Sequence, residues 1–305
     1  MSKDLTKKIN NYLKDFKHNI RVYKKFKFLP CFIFGLPRSG STLLHQIMIT
    51  MFDFNYVSNI KGFFYQNIII GNLLHNQFVK ENNYESNFVS KFGNTNGPLE
   101  PSEWGWFWRK WLNLQNNEHH ISRNVDWVNL KKELLTIESM NSSPLLFDTP
   151  FINGNLDKFI NNIGPVIIFD LERSHSAIFK SLLNARIQKY GTLKKYYGAM
   201  TREKKILRIQ NPYAQVFQQV KQLNLEKKNM LQSIPKDLVL KIHYENLIKQ
   251  PMKEMKKIKR FFGRKKIKIN LKKIVLPKFI NRNNNPPKFS TSEYDFIKYS
   301  QQLKN

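Results

Sequence analysis

The sequence predicts an α/β fold of three layers, a central parallel sheet flanked by helices. Three short apolar runs carry that expectation: Phe28–Phe34, Pro165–Leu171 and Leu238–Ile242. A strand buried on both faces reads as a continuous apolar run, and each of these is too short for a buried helix. Helical periodicity fills the intervals between them, which is the pattern of parallel strands joined by crossover helices. A length of 305 residues fits one large domain of this kind or two small ones.

Taken in order, residues 1–28 read as a basic amphipathic helix, with Leu5, Ile9, Tyr12, Leu13, Phe16, Ile20 and Tyr23 at steps of three or four. Such a stripe packs on its own domain or lies on a membrane surface. The first strand follows, then a turn over Gly35–Gly40 and a helix over Ser41–Phe52. Residues 56–92 look helical with Asn-rich breaks, and Gly93–Pro101 is a loop. Glu103–Leu114 is an aromatic helix carrying Trp104, Trp106, Phe107, Trp108 and Trp111. Val125–Met140 is a helix, Pro144–Phe147 a short strand and Asn155–Asn161 a helix. After the second apolar strand come helices over Glu172–Tyr190 and Tyr213–Met230. The third strand leads into a Lys-rich helix over Leu247–Phe262. The tail is very basic, and Asn281–Pro287 reads as loop or linker. The organisation expected is an N-terminal helix over 1–27, a domain over 28–263 and a basic C-terminal extension over 264–305.

Composition narrows the function. One cysteine excludes an intramolecular disulfide and a Cys-based zinc site. The longest mostly apolar run, Phe63–Leu74, is interrupted by Gln66, Asn67, Gly71 and Asn72 and is too short to span a bilayer. The N-terminus lacks the apolar stretch of a signal peptide, so a cytoplasmic location is expected. Lysine and arginine number 51 against 22 acids, a net charge of +29. That surface attracts polyanions such as nucleic acid, anionic lipid, or phosphorylated and sulfated ligands. Abundant Lys, Asn and Ile equally suit a chain from an AT-rich genome. No recognised nucleic-acid-binding motif is present.

The segment Phe34-Gly-Leu-Pro-Arg-Ser-Gly-Ser-Thr-Leu-Leu44 follows a strand and opens a helix. Gly35 and Gly40 allow tight turns, so the amides of 39–42 point from a helix N-terminus at an anion. Ser39, Ser41 and Thr42 add hydroxyls, and Arg38 adds a fixed charge. The Gly-x4-Gly spacing is that of a phosphate-binding P-loop, which makes the expected fold P-loop-like. Ser41, however, stands where a nucleotide triphosphatase needs Lys.

These residues resemble the 5′-phosphosulfate loop of sulfotransferases that use 3′-phosphoadenosine 5′-phosphosulfate (PAPS). The resemblance implies that Pro37, Arg38, Ser39, Gly40, Ser41 and Thr42 bind the donor, with Arg38 on the leaving phosphate and transferring sulfuryl group. After the second strand, Arg173 and Ser181 stand eight apart in Glu172–Ser181. They meet one phosphate only if Arg173 lies at the strand–helix turn and Ser181 two turns inside. This is similar to the family's 3′-phosphate motif. Val239–Leu247, with its Tyr244-Glu-Asn-Leu turn, and Gly97–Trp108 are similar to further blocks of the family, in a bacterial branch for the latter. Tyr244 and Glu245 read as structural, a buried ring and a helix-start acid.

In-line sulfuryl transfer also needs a base within reach of the acceptor's hydroxyl or amine. The family's Lys-x-His-x-Pro block is absent, since the corresponding residues read Phe147-Asp-Thr-Pro150. Glu103 is the first candidate, because an aromatic surround raises a carboxyl pKa; the competing role is a helix cap beside Ser102. Asp148 is the second candidate. His45, His75, His119, His120 and His175 show no partner in sequence, and neither the residue spacings nor the chemistry require a metal. The acceptor expected is a small molecule or carbohydrate. A P-loop phosphotransferase, with Asp170 as its magnesium-binding acid, and a polyanion-binding module are the competing readings.

Overall fold

The computed structural model describes residues 3–15, 22–82, 84–114, 124–148, 156–285, 287–289 and 294–303. Seven strands are present among them: β1 Cys31–Gly35, β2 Asn55–Tyr56, β3 Ser90–Lys91, β4 Asn94–Thr95, β5 Leu145–Asp148, β6 Ile167–Glu172 and β7 Val239–His243. Five form one parallel sheet in the order β2-β5-β1-β6-β7. The first strand therefore lies at the centre, and every neighbour joins it by a crossover. Strands β3 and β4 form a small antiparallel hairpin above the sheet's C-terminal edge, in a stretch that the sequence gives no reason to read as β.

Alternation along the central strands builds the three layers. Cys31, Ile33, Ile167, Phe169 and Leu171 point into one core. It is closed by α2 (Ser41–Met51), α10 (Tyr244–Lys249) and α11 (Pro251–Arg264). Phe32, Phe34, Phe147 and Ile168 point into the other. That side is covered by α5 (Gly105–Trp111), α6 (Trp127–Asn141) and α7 (Leu156–Ile163). Each fully buried Phe or Leu here contributes about 1.5–3 kcal/mol of transfer free energy. A third cluster joins α8 (His175–Tyr190) to α9 (Pro212–Gln232) through Ile178, Phe179, Leu182, Val216 and Val220.

Several boundaries differ from expectation for identifiable reasons. The N-terminal helix α1 spans Lys3–Leu13 rather than 1–28. Residues 16–21 lie outside the described set, and 22–30 are irregular, with the amides of Lys27 and Phe28 donating to the Glu138 carboxylate instead of to a helical ladder. The α1 stripe packs on the protein: Asn10 is fully buried, donating to Phe63 O and accepting from Gln66 N. The 56–92 stretch divides into β2, α3 (Asn59–Phe63), α4 (Ile68–Asn82) and the hairpin's first strand. Pro251 divides the expected Leu247–Phe262 helix into α10 and α11, because it cannot donate to the preceding turn.

The basic segment after Gly263 wraps the domain rather than trailing from it. Lys272 N donates to Met51 O, and Ile267, Ile269, Leu271 and Phe279 pack on the first core. Helix α12 (Tyr294–Gln302) returns to α8 and α9, with Phe296 and Tyr299 on Phe179 and Phe217. No helix among the described residues is long and apolar enough to cross a membrane.

Candidate active site

The register of the central strands sets out the site. Gly35 pairs with Leu171, Glu172 with His243, and Ile33 with Asp148. The segments leaving β1, β5, β6 and β7 thus emerge along one edge, where ligands of open α/β sheets bind. A cavity of about 940 Å³ opens there. Its lining brings together Pro37, Arg38, Gly40, Ser41, Thr42, Glu103, Asp148, Arg173 and Ser181, from five separate parts of the chain. Ser39 does not line it: its side chain is buried and its hydroxyl abuts Gly35.

The loop after β1 is held in a conformation few residues adopt. Arg38 has φ of 70° and Gly40 of 98°. A non-glycine residue there costs about 1–3 kcal/mol unless its surroundings enforce it. Two bonds do so: Ser39 N donates to Leu36 O at 3.0 Å, and Arg173 Nη1 donates to Arg38 O at 2.6 Å. Gly40 has a second constraint, since a β-carbon on it would lie 2.6 Å from the Tyr244 ring. The N-terminus of α2 carries no side-chain cap. Gly40, Ser41, Thr42 and Leu43 border the cavity there, so first-turn donors and the positive end of the helix dipole face its interior.

One wall of the cavity is cationic. Arg38 Nε donates to Ser181 Oγ at 3.1 Å, and its guanidinium lies over Phe92 at 5.7 Å. The Arg173 guanidinium lies over the Tyr244 ring at 4.3 Å, and its Nε donates to Asn283 Oδ1 at 2.8 Å. Lys180 Nζ donates to Asn283 O at 2.6 Å, and Arg282 completes the group. Burial lowers the pKa of both Arg38 and Arg173, and the charge of Arg282 lowers each further. Lys180 is lowered by burial and by Arg173. These cations converge against their mutual repulsion.

The opposite end is acidic. Glu103 and Asp148 are the acids that line the cavity among the described residues. Burial raises the pKa of each; the charge of Asp148 raises Glu103 further, and a hydrogen bond from Ser41 partly offsets the rise at Asp148. The capping role for Glu103 is not what the local backbone shows. Helix α5 starts at Gly105 behind a left-handed Trp104, and it is Ser102 Oγ that accepts from Trp104 N. A β-carbon at Gly93 would lie 2.8 Å from Glu103 Oε1 and 3.9 Å from Thr42 Oγ1, so bare glycine keeps that corner open.

The remaining candidates sit elsewhere. His45 and His75 are buried beneath Tyr56, and burial pushes their pKa values down to about 3 and about 2. His175 is outside the lining, and His119 and His120 lie outside the described residues. Asp170 faces Lys227 across 2.5 Å, both buried, and is no part of the cavity. No group of three or more His, Cys, Asp or Glu among the described residues could hold a metal ion.

Several cavity residues escaped the sequence reading. Lys180 precedes Ser181 directly and was visible there. Tyr197, which bonds Arg38, Arg282, and Asn283, which holds Arg173 behind the lining, come from segments with no periodicity to mark them. Tyr244 and Glu245 are structural, yet structural to the site: Tyr244 supports Arg173, and Glu245 accepts from Ser174 N and Asn283 Nδ2.

Comparison with known proteins bears on the fold. A family model described as sulfotransferase domain matches residues 170–299. Curated proteins give no significant match. Among solved structures, the sulfotransferase STF1 from Mycobacterium tuberculosis is similar with a TM-score of 0.56 at 16% identity, over 84% of this chain and 72% of that one. The sulfotransferase STF9 from Mycobacterium avium is similar with a TM-score of 0.51 at 11% identity, over 84% and 68%. At these identities the likeness is one of fold. A sulfotransferase domain model thus matches the C-terminal part of the chain, residues 170–299, and the fold is similar to that of sulfotransferases.

Proposed function

We propose that the chain holds PAPS in the large cavity and moves its sulfuryl group to a hydroxyl or amine of a small-molecule or carbohydrate acceptor. The observation that carries this reading is the cationic wall. Arginine cannot shed its proton near neutral pH, so the repulsion among Arg38, Arg173 and Arg282, which Glu245 offsets in part at Arg173, favours an anion between them. A nucleotide with phosphates at both its 3′ and 5′ positions supplies that charge at two points. Arg173 and Lys180 suit the 3′ end; Arg38 and the α2 amides suit the 5′ end, at the helix N-terminus.

PAPS supplies the activated sulfuryl group; this chain's residues orient it and manage charge. Arg38, fixed by Ser181 and Tyr197, meets negative charge that grows on the leaving phosphate. The α2 amides share that charge without reorganising. Glu103 takes the proton of the acceptor hydroxyl as the oxygen attacks. Asp148, bonded to Ser41, tunes Glu103 by its charge. A carboxyl with a raised pKa is a stronger base than an exposed one, which suits proton removal near neutrality.

Two observations weigh against a phosphotransferase: Ser41 occupies the place of the P-loop lysine, and Asp170 is spent on Lys227. The test is thermal unfolding with added nucleotide. PAP at 100 times its dissociation constant is expected to stabilise the protein by about 2.7 kcal/mol, with ATP and Mg²⁺ giving no shift. Stabilisation by ATP and Mg²⁺ but not PAP would overturn the reading.

A further inference from the structure

The acids of the chain are unevenly spread. Of the 22, twenty precede Met255 and two follow Ser292, so residues 255–292 hold 13 lysines and arginines and no acid. A chain-wide bias toward Lys raises the charge everywhere, but it does not empty one stretch of acids. That stretch runs from α11 into the segment wrapped on the domain after Gly263.

Both elements bury their apolar residues and turn their cations outward. On α11, Met255, Ile258, Phe261 and Phe262 are buried, and Lys253, Lys256, Arg260 and Arg264, at steps of three and four, form the opposite, exposed stripe. Beyond the helix, burial alternates along the chain. Ile267, Ile269, Leu271, Ile274 and Leu276 pack on the core, while Lys266, Lys268, Lys272, Lys273 and Val275 between them are exposed. The bond from Lys272 N to Met51 O and the bridge between Phe52 and Leu271 fix that register. Lys257, Lys265 and Lys272 pair with Glu254, Asp237 and Asp53. Among the described residues, the other cations of 253–275 have no acid within ion-pair distance. None of residues 253–275 lines the large cavity.

We infer that this face docks on an anionic lipid surface. Basic residues clustered on an amphipathic element are drawn to the negative potential of such a leaflet, each contributing about fivefold to the partition. Three features favour lipid over nucleic acid or a sulfated saccharide. The face is chiefly lysine, a hydrated point charge suited to a diffuse potential, with few of the guanidinium forks that grip single phosphates and sulfates. Its rings, Phe261 and Phe262, are buried, which leaves no aromatic platform for bases to stack on. Val275 is 95% exposed among the lysines. An isolated aliphatic side chain gains nothing in water, but on a bilayer it reaches the boundary between headgroups and acyl chains while the lysines around it stay with the headgroups. The stripe of α1, in contrast, is spent on the protein itself.

The test is cosedimentation of the full chain, without nucleotide, with vesicles of phosphatidylcholine alone and of equimolar phosphatidylcholine and phosphatidylserine. Pelleting with the second and not the first is expected, and it is expected to weaken as salt is added. Lys256→Glu, Arg260→Glu and Lys268→Glu combined are expected to lower the partition at least about 100-fold. The same reversal at Lys132, Lys158 and Lys221, exposed elsewhere on the molecule, is expected to cost less than about tenfold, the share of net charge alone. Circular dichroism verifies the fold of each variant; if reversal unfolds the chain, Gln at the same three positions is expected to give a smaller loss in the same direction. Val275→Ser leaves the charge unchanged and is expected to lower the partition about fivefold. Absence of pelleting with phosphatidylserine vesicles, an equal loss in the scattered variant, or a partition that Val275→Ser leaves unchanged would overturn the inference. So would a reversal at 256, 260 and 268 that abolishes binding to duplex DNA while sparing the vesicles, which would assign the face to nucleic acid.

Discussion

The two ends of the large cavity face the same electrostatic problem and solve it differently. At one end Arg38, Arg173, Lys180 and Arg282 crowd like charges together; at the other Glu103 and Asp148 do the same with acids. Burial raises the pKa of both carboxyls, and the charge of Asp148 raises Glu103 further; a carboxyl relieves this by binding a proton. Guanidinium groups have no such exit within the physiological range. The acidic end is therefore tuned by pH, and the basic end by ligand. In the proposed reaction one end moves a proton and the other holds a polyanion.

The largest effect is expected at the acidic end. Glu103→Gln removes the proposed base and is expected to lower turnover about 10²–10⁴-fold with PAP affinity nearly unchanged. Asp148→Asn separates tuning from chemistry. The charge of Asp148 raises the pKa of Glu103, so its loss lowers that pKa. Activity rises with pH as the base ionises; in Asp148→Asn that rise is expected at lower pH than in the wild type. A pH–rate profile measured at saturating PAPS checks this. A limb that stays in place in Asp148→Asn, or turnover that survives Glu103→Gln, would assign the base elsewhere.

Next is Arg38. Its proposed contribution lies mainly in the transition state, so Arg38→Ala is expected to cost about 10²–10³ in turnover and much less in PAP binding, which the α2 amides retain. Arg38→Lys restores the point charge but not the fork that reaches Ser181, and is expected to recover part of the rate. Single-turnover kinetics beside PAP titration separates the two effects. Equal losses in affinity and rate would make Arg38 a ground-state anchor.

Arg173 comes third, and its position makes its loss broader than a missing phosphate contact. A charge-assisted bond is worth about 1.5–3 kcal/mol, so Arg173→Ala is expected to weaken PAP about 10- to 100-fold. Arg173 also holds the carbonyl of Arg38 in its left-handed conformation. Turnover is therefore expected to fall as well, which a residue touching only the 3′-phosphate would not cause. Calorimetric PAP titration with turnover at saturating PAPS distinguishes the two.

That coupling also marks where the sequence stopped being informative. The strands β1, β6 and β7 were legible because both faces are buried and their residues are apolar without a break. Strand β2 is two residues long and had no pattern to show. The loop over 35–42 was legible because the groups proposed to bind the donor are contiguous: glycines, hydroxyls and one arginine around a single helix N-terminus. The motif at 173–181 was found, but not its wiring. In the structure Ser181 serves Arg38, and Arg173 reaches back to the loop and across to Asn283. Such bonds span more than a hundred residues and leave no periodic trace. The run Asn281–Asn285 reads as linker because its residues favour turns, and that preference is what lets it fold over the arginines.

The smallest effect concerns that run and decides whether the basic wall competes with its own cover. Asn283 places a neutral amide oxygen on Arg173 Nε and donates its amide to Glu245. A phosphate is a stronger acceptor for a guanidinium than an amide is, so a nucleotide claiming Arg173 Nε must first displace Asn283. Asn283→Ala removes the bond to be broken but leaves the backbone carbonyl that Lys180 holds. A neutral hydrogen bond is worth about 1 kcal/mol net, so Asn283→Ala is expected to tighten PAP about fivefold at most. The effect is expected to vanish in the Arg173→Ala background, where there is nothing for the amide to withhold. Weaker binding in Asn283→Ala would mean that the amide aims Arg173 rather than occupying it, and the strap after Gly263 would then be part of the nucleotide site's support rather than its competitor.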